Sequence, residues 1–188
     1  ENLTLDQKKQ TEWGTVIASR QVGWNLVGMH NMGSMAGQIF MQTFEEAEAQ
    51  PGIISPRYRP LALDHNISWH PISIDLAAKH KGDVRFGLQN AIFDQREAKG
   101  LRSEIMSAQW GDLMNTMQPV KDLLDRGVQI HLEGGDPFSR QPLRVIQQYV
   151  TRKDDKGRVW GAKQAVDRKT ALLMSTRWAA HFIDETDV

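Results

Sequence analysis

Cysteine is absent from this 188-residue chain. That absence excludes disulfide bonds, thiolate metal ligands and a cysteine nucleophile, so a metal or catalytic site must use histidine, carboxylate or other side chains. A chain without cysteine is compatible with reducing and with oxidising compartments. The compartment therefore stays open, with the cytoplasm only slightly preferred.

Net charge and long apolar runs are absent as well. Lysine plus arginine and aspartate plus glutamate each number 23, so no general attraction to nucleic acid or anionic lipid follows. The sequence has no run of 18 apolar residues, and its first ten residues, ENLTLDQKKQ, contain no hydrophobic signal core. We expect no nucleic-acid partner, no membrane span and no targeting segment.

The chain does have enough apolar content, 40% of its residues, for one soluble domain over residues 1–188. Thr4 and Ser34 are predicted to cap its first two helices, and Gly127 to end its fourth. Strands are predicted over 22–30, 58–65, 83–93 and 128–136. Helices are predicted over 3–21, 34–49, 71–80, 118–127, 142–152 and 168–182. This alternation predicts a parallel sheet with right-handed crossovers, either open and doubly wound or part of a (β/α) barrel.

Polar side chains stand at the carboxyl ends of all four predicted strands. His30 ends the first strand, His65 the second and Asp136 the fourth, while Gln89 and Asn90 lie late in the third. Barrel enzymes build their active sites at this end of the strands. Two neutral imidazoles and a carboxylate suit a divalent metal such as zinc. Taken singly, each histidine is compatible with a hydrogen-bonded strand end, and Asp136 with a turn or helix cap.

Four segments also carry a resemblance to a known family. They are VGMHNMGSMAGQIFMQTFEEA (27–47), RPLALDHNISWHP (59–71), GVQIHLEGGDP (127–137) and the helical stretch 142–182. In order and approximate spacing they resemble the metal-dependent amidohydrolase superfamily, in the branch called amidohydrolase family three. The resemblance covers nearly the whole chain.

The resemblance implies a fold and a chemistry. The chain would be the C-terminal half of a TIM-like (β/α)8 barrel, with strands five to eight and their trailing helices. His30 and His65 would be metal ligands, and Asp136 would lie at the metal and handle protons. The cofactor would be one or two divalent ions, most simply zinc. The reaction would be hydrolysis of a C–N bond, amide-like or in a cyclic amide, of a small-molecule substrate.

Several positions depart from the family pattern. Ser34 stands where the family usually has aspartate, Gly135 replaces a serine and Asp64 replaces a glutamate. The His-X-His pair of the family's first strand and the ligand of its fourth strand, often lysine, do not occur in this chain. We therefore expect a companion chain that supplies the N-terminal half of the barrel and completes a composite site. Without it, an inner face of apolar residues such as Leu61 and Leu63 would be exposed.

Three further residues are candidates for substrate binding: His70, Gln89 and Trp110. His70 is also compatible with a plain loop role. Trp110 lies in the stretch 94–117, which is long for a connection. Such a stretch forms either a lid over the active face or an extra surface helix, and the sequence leaves both open.

The remaining histidines are predicted to be structural. His131 lies on one strand face with Gln129 and Glu133, where we interpret the three as polar filling of the barrel interior. His80 is predicted to face solvent at a helix end, and His181 to serve a structural role in the last helix.

Two other function classes stay open. The chain could be a non-catalytic, barrel-derived subunit with a binding or assembly role, in which case it would hold no stoichiometric metal. It could also be an open-sheet α/β binding domain complete in itself, which would fold alone as a stable monomer.

Overall fold

The computed structural model describes residues 4–24, 29–52, 61–93, 102–133, 141–185 and 187. Within these residues four short strands form one sheet. They are β1 (Met29–Asn31), β2 (Leu61–His65), β3 (Val84–Gln89) and β4 (Ile130–Glu133). All neighbouring strands pair in parallel, in the order β1-β2-β3-β4. The predicted α/β class with a parallel sheet is confirmed.

Helices follow each strand and account for most of the remaining described residues. They are α1 (Leu5–Gln21), α2 (Ala36–Glu48), α3 (Pro71–Lys79), α4 (Arg102–Trp110), α5 (Val120–Asp125), α6 (Pro142–Thr151), α7 (Arg168–Ser175) and α8 (Arg177–Phe182), with 3-10 turns at Gly111–Thr116 and Ala162–Gln164. None of the described helices is long and apolar enough to cross a membrane.

Alternating strands and helices allow two architectures, an open doubly wound sheet or part of a (β/α) barrel. The strand order distinguishes between them. A doubly wound sheet reverses direction at a switch point, whereas a (β/α) barrel adds each new strand on the same side as the last. Here spatial order follows chain order without reversal. With right-handed crossovers, that order places the connecting helices on one side of the sheet. The topology favours part of a barrel over an open doubly wound sheet.

The two faces of the sheet differ in polarity. On one face Leu61, Leu63 and Phe86 are buried in the main hydrophobic core. The other face carries Asp64 and His131, because side chains alternate along a strand and register partners share a face. The expectation that Leu61 and Leu63 form an exposed inner face is therefore wrong. They lie on the face that packs against the rest of the core.

Local start and stop signals were predicted with mixed success. Thr4 caps α1 in a reciprocal capping box with Gln7, and Gly127 ends the α5 turn with φ 75°. Ser34 is not a cap, because α2 begins two residues later; its carbonyl oxygen instead accepts hydrogen bonds from the His70 amide and the Ser73 hydroxyl. These two bonds tie the end of β1 to the start of α3.

His80 is buried, which contradicts the prediction that it faces solvent. Its Nε2 lies 2.6 Å from Glu45 Oε1, and its ring packs edge-on against Phe44. A histidine at the end of a helix is usually exposed to water. Here the Glu45 carboxylate, on the neighbouring helix α2, provides a hydrogen-bond partner that allows His80 to be buried.

The long connection after β3 contains the extra helix that the sequence allowed. It comprises α4 and the following 3-10 turn. Met114 and Met117 are fully buried in the main core, while Trp110 remains exposed. The apolar residues of this stretch thus divide between the core and the protein surface.

Candidate metal centre

His30 and His65 come together at the carboxyl end of the sheet. His30 is the central residue of β1 and His65 the last residue of β2. Their ring centroids are 4.1 Å apart and the rings are nearly perpendicular, at 86°. His30 Nε2 also lies 3.0 Å from the Met32 sulfur. Both imidazoles therefore lie in contact at the carboxyl end of the sheet, and imidazole nitrogen is a common metal ligand.

A left-handed backbone turn brings the His65 ring to this position. Strand register pairs His65 with buried Asn31, so simple alternation would direct it to the face opposite His30 and Asp64. Instead His65 has φ 69° and Asn66 has φ 35°, a conformation that costs free energy in residues other than glycine. The turn breaks the alternation and places the ring on the polar face. Strain of this kind is concentrated at functional sites.

Asn66 stabilises the turn through both ends of its side chain. Its Nδ2 donates to the Leu63 and Gly87 carbonyl oxygens at 2.8 and 2.9 Å, and its Oδ1 accepts from Asn31 Nδ2 at 2.5 Å. The Asn66 carbonyl oxygen accepts from the indole of Trp69 at 2.8 Å. One buried amide thus connects three strands directly behind His65.

Glu133, at the end of β4, is the main partner of His65. Its Oε2 lies 2.6 Å from His65 Nδ1, and both carboxylate oxygens accept from the His65 backbone amide at 3.0 and 3.1 Å. Asp64, His65 and Glu133 each offer one ligand atom within 4.8 Å of the others, which is compact enough to hold a cation. The sequence-based interpretation of Glu133 as polar filling missed this contact.

Gly87 provides the space that Glu133 occupies. A β-carbon at Gly87 would overlap Glu133 Oε1 and come within 2.5 Å of His131 Nε2. Gly87 lies in the middle of β3, where glycine otherwise weakens a strand. Its missing side chain therefore gives the carboxylate of β4 access to the end of β2.

The two carboxylates of the cluster differ in their preferred protonation state. Burial alone would raise the pKa of Glu133, but His131, Asp64, and the amide and ring of His65 together lower it to about 2. Burial, followed by the hydrogen bond and charge of Glu133, raises the pKa of Asp64 to about 6. Near neutral pH the site thus holds one firmly ionised carboxylate beside one that takes up a proton readily.

Asp136, the predicted proton-handling carboxylate, lies outside the described residues together with Gly134 and Gly135. The described part of β4 ends at Glu133. Glu133 itself lies at the same carboxyl end of the sheet as His65, whose ring it contacts.

The predicted substrate-binding residues do not share one location. His70 and Trp110 line the same cavity of about 530 Å³, together with Trp69, Leu113 and Gln164. His70 also caps α3, because its Nδ1 accepts from the Ile72 amide at 3.3 Å.

Gln89 does not line this cavity. It pairs in register with Glu133 and so shares its face of the sheet, and its carbonyl oxygen accepts from the Gln118 side chain. That position places Gln89 beside the acidic cluster, which consists of Asp64 and Glu133.

Sequence reasoning missed Glu133 and Gly87 for a definable reason. The strand was predicted to run to Asp136, which placed Glu133 in its interior and drew attention to the later carboxylate. The only available signal was the small residue Gly87 inside an otherwise apolar strand, which indicates a close approach by another group.

Comparisons with known proteins give a fold and no family. No protein-family model and no curated protein matches the chain. Two solved structures match, each covering 95% of this chain: an uncharacterized metal-dependent hydrolase from Pyrococcus furiosus (TM-score 0.68, 18% identity) and one from Pyrococcus horikoshii OT3 (TM-score 0.68, 19% identity). The chain spans about a third of each, 33% and 34%. The likeness shows that this chain folds like part of those proteins.

Proposed function

We propose that this chain supplies part of the active site of a metal-dependent hydrolase, with His30 and His65 as metal ligands. The observation that carries the proposal is the contact between these two rings at the carboxyl end of a parallel sheet. The likeness to two proteins called metal-dependent hydrolases supports it at the level of fold. The resemblance of the strand-end sequences to amidohydrolase family three supports it independently.

The donor atoms in this region fit a divalent cation. Imidazole nitrogens and carboxylate oxygens are the usual ligands of zinc in hydrolytic sites, and Asp64 and Glu133 surround His65 with negative charge. Such a set also binds other first-row divalent ions. We propose zinc, as one or two ions, because zinc is a Lewis acid that commonly binds histidine and carboxylate ligands in hydrolytic sites.

The proposed reaction is hydrolysis of a C–N bond. A bound ion would polarise the scissile carbonyl group and lower the pKa of water at the site. We assign to Asp136 the transfer of a proton from the attacking water to the leaving nitrogen. Glu133 remains ionised because of its low pKa, and so keeps a negative charge beside His65 throughout.

The substrate is proposed to be a small molecule with an apolar part. The cavity that contains His70 and Trp110 has a volume typical of small-molecule sites, and Trp69 and Leu113 give it apolar walls. Gln89 is proposed to contact the substrate from the sheet side, next to the acidic cluster.

A companion chain is part of the proposal. The described sheet has four strands and two unpaired edges, whereas a closed barrel of this type has eight strands. The polar face with Asp64 and His131 would line the interior of the closed barrel. The missing strands would bring the His-X-His pair and the further ligand that the family uses.

Metal content tests the assignment. In the purified native assembly, His30→Ala and His65→Ala should each remove bound metal and hydrolytic activity together, since each deletes a ligand nitrogen. His80→Ala is the matched control, because this histidine is equally polar but lies on the outer helices beside Glu45. Full metal occupancy in both ligand variants would overturn the assignment and favour a non-catalytic subunit.

A further inference from the structure

We propose that Glu133 is a positioning residue that fixes His65 as the Nδ1–H tautomer, so that Nε2 is the nitrogen presented to the ion. This inference rests on the proposed function, since it concerns the same site. It assigns to Glu133 and Gly87 roles that the residue types at the strand ends do not reveal.

The hydrogen bond between Glu133 and His65 has a defined direction. Both carboxylate oxygens of Glu133 accept from the His65 backbone amide, at 3.1 and 3.0 Å, and an ionised carboxylate has no proton to donate. His65 Nδ1, 2.6 Å from Oε2, must therefore carry the proton. In a neutral imidazole with Nδ1 protonated, Nε2 holds the free lone pair. The hydrogen bond thus selects which nitrogen of His65 can bind a metal.

Glu133 also fixes the orientation of His65. The same carboxylate accepts from the His65 backbone amide through both oxygens, at 3.0 and 3.1 Å. Glu133 therefore restrains the backbone and the ring of one residue at once. The restraint acts where the chain is strained, at φ 69°, and where the alternation of β2 is broken. Loss of the carboxylate would release both the turn and the ring.

The contacts of the Glu133 carboxylate favour positioning of His65 over direct ligation of the ion. A metal ion cannot lie between two atoms that share a 2.6 Å hydrogen bond, which removes Oε2 as a ligand while the bond to Nδ1 persists. Oε1 accepts from the His65 amide and lies 3.4 Å from His131 Nε2. Both oxygens are thus engaged by donors within the chain. Carboxylates that bind the second nitrogen of a metal-bound histidine are a regular part of metal sites.

The contact between Glu133 and His65 requires a residue without a side chain at Gly87. The carboxylate reaches from β4 to the end of β2 across the space that a β-carbon on β3 would fill. A methyl group at Gly87 would displace Glu133 from His65 without changing any ionisable group. Gly87→Ala therefore tests the position of the carboxylate separately from its charge.

The test measures zinc affinity in the purified native assembly by competition with a chromogenic chelator. Glu133→Gln should weaken zinc binding about 10- to 100-fold, because an amide accepts on one side only and cannot satisfy all the donors around His65. Gly87→Ala should weaken it in the same direction. Glu45→Gln is the matched control: Glu45 makes a carboxylate–histidine bond of the same 2.6 Å length with His80, remote in the fold, and its loss should leave zinc affinity unchanged.

A second readout does not depend on metal. In ¹⁵N-histidine NMR spectra of the metal-free protein, His65 should show a protonated Nδ1 and an unprotonated Nε2, and Glu133→Gln should convert it to a mixture of tautomers. Unchanged zinc affinity in Glu133→Gln, or an Nε2–H tautomer of His65 in the wild type, would overturn the inference. Complete loss of zinc from Glu133→Gln would also overturn it, in favour of direct ligation.

Failure of the proposed function has a different signature. A wild-type assembly that binds no zinc contradicts the metal site itself, while the NMR spectrum still decides the tautomer of His65. Thermal unfolding of each variant shows whether a lost affinity reflects the site or the fold.

Discussion

At the residue scale, His65 shows how a site can depend on one unusual backbone conformation. Register pairs it with Asn31, yet its ring contacts Glu133 and His30 on the other face. The positive φ of His65 and the hydrogen bonds of Asn66 make the difference. The sequence pattern predicts a regular strand end at β2. The structure instead has a strained turn there, which directs the His65 imidazole to the polar face of the sheet.

The proposed proton transfer by Asp136 rests on the chemistry of a carboxylate and on the family resemblance of the sequence. If it transfers the proton, Asp136→Asn should keep the fold and most of the bound metal and lose most of the turnover, because an amide cannot accept that proton. Hydrolysis of a panel of acyclic and cyclic amides, assayed beside metal content, measures both quantities. Turnover close to that of the wild type would return Asp136 to a turn residue.

At the element scale, the connection between α6 and α7 is held by one buried carboxylate. The Asp154 side chain is fully buried and accepts from the amides of Lys156 and Arg158, the Arg158 guanidinium and the indole of Trp160. Ser103 of α4 donates to it as well, at 3.2 Å. This carboxylate therefore joins the α6–α7 connection to the helix that follows β3.

Asp154 should make stability depend on pH in the acid range. Burial alone would raise the pKa of Asp154, but hydrogen bonds from Trp160, Arg158 and Lys156 lower it below its ordinary value. A carboxyl group whose pKa is lower in the folded state stabilises the fold above its unfolded pKa, near 4, and loses that contribution as pH falls through the folded value. Asp154→Asn should cost about 2–3 kcal/mol at pH 7, since charged hydrogen bonds are lost.

Denaturant unfolding at several pH values measures this effect. The difference between wild type and Asp154→Asn should be constant from pH 5 to 8 and shrink below about pH 4. Asp75→Asn is the matched control, because its ion pair with Arg126 lies at the surface and surface pairs contribute about 0–1 kcal/mol. A difference that persists undiminished at low pH would contradict the role of the ionised carboxylate.

The sequence predicted the positions of secondary-structure elements better than the contacts between them. Periodicity located most of the helices and the cores of the last three strands, because burial of Leu61, Leu63 and Phe86 follows local apolar runs. The first strand, predicted over 22–30, is wrong at its start, because Val22 ends α1 and the described strand covers Met29–Asn31. Periodicity did not predict the burial of His80, which depends on Glu45 from another helix. It also missed the pairing of His65 with Glu133, 68 positions away, because such contacts are set by strand register.

At the scale of the whole molecule, the two faces of the sheet are covered differently, and α8 contacts part of the polar face through Arg85 and His131. One face contributes to the main core, while the other carries Asp64, His131 and Glu133. In a closed barrel the face opposite the connecting helices lies inside, and the active site lies at the carboxyl ends of the strands. We expect a tightly bound partner that covers the rest of this face and pairs with the sheet edges, with an interface above about 2,000 Å².

The measurement that tests the account most directly is native mass spectrometry of the assembly after mild purification. It reports the partner chain and the bound ions together. The account predicts a hetero-complex that contains this 21.4 kDa chain and is heavier than its summed chains by one or two divalent metal ions, with that excess lost in His65→Ala. A metal-free, cooperatively folded monomer would contradict both the composite site and the metal-dependent function.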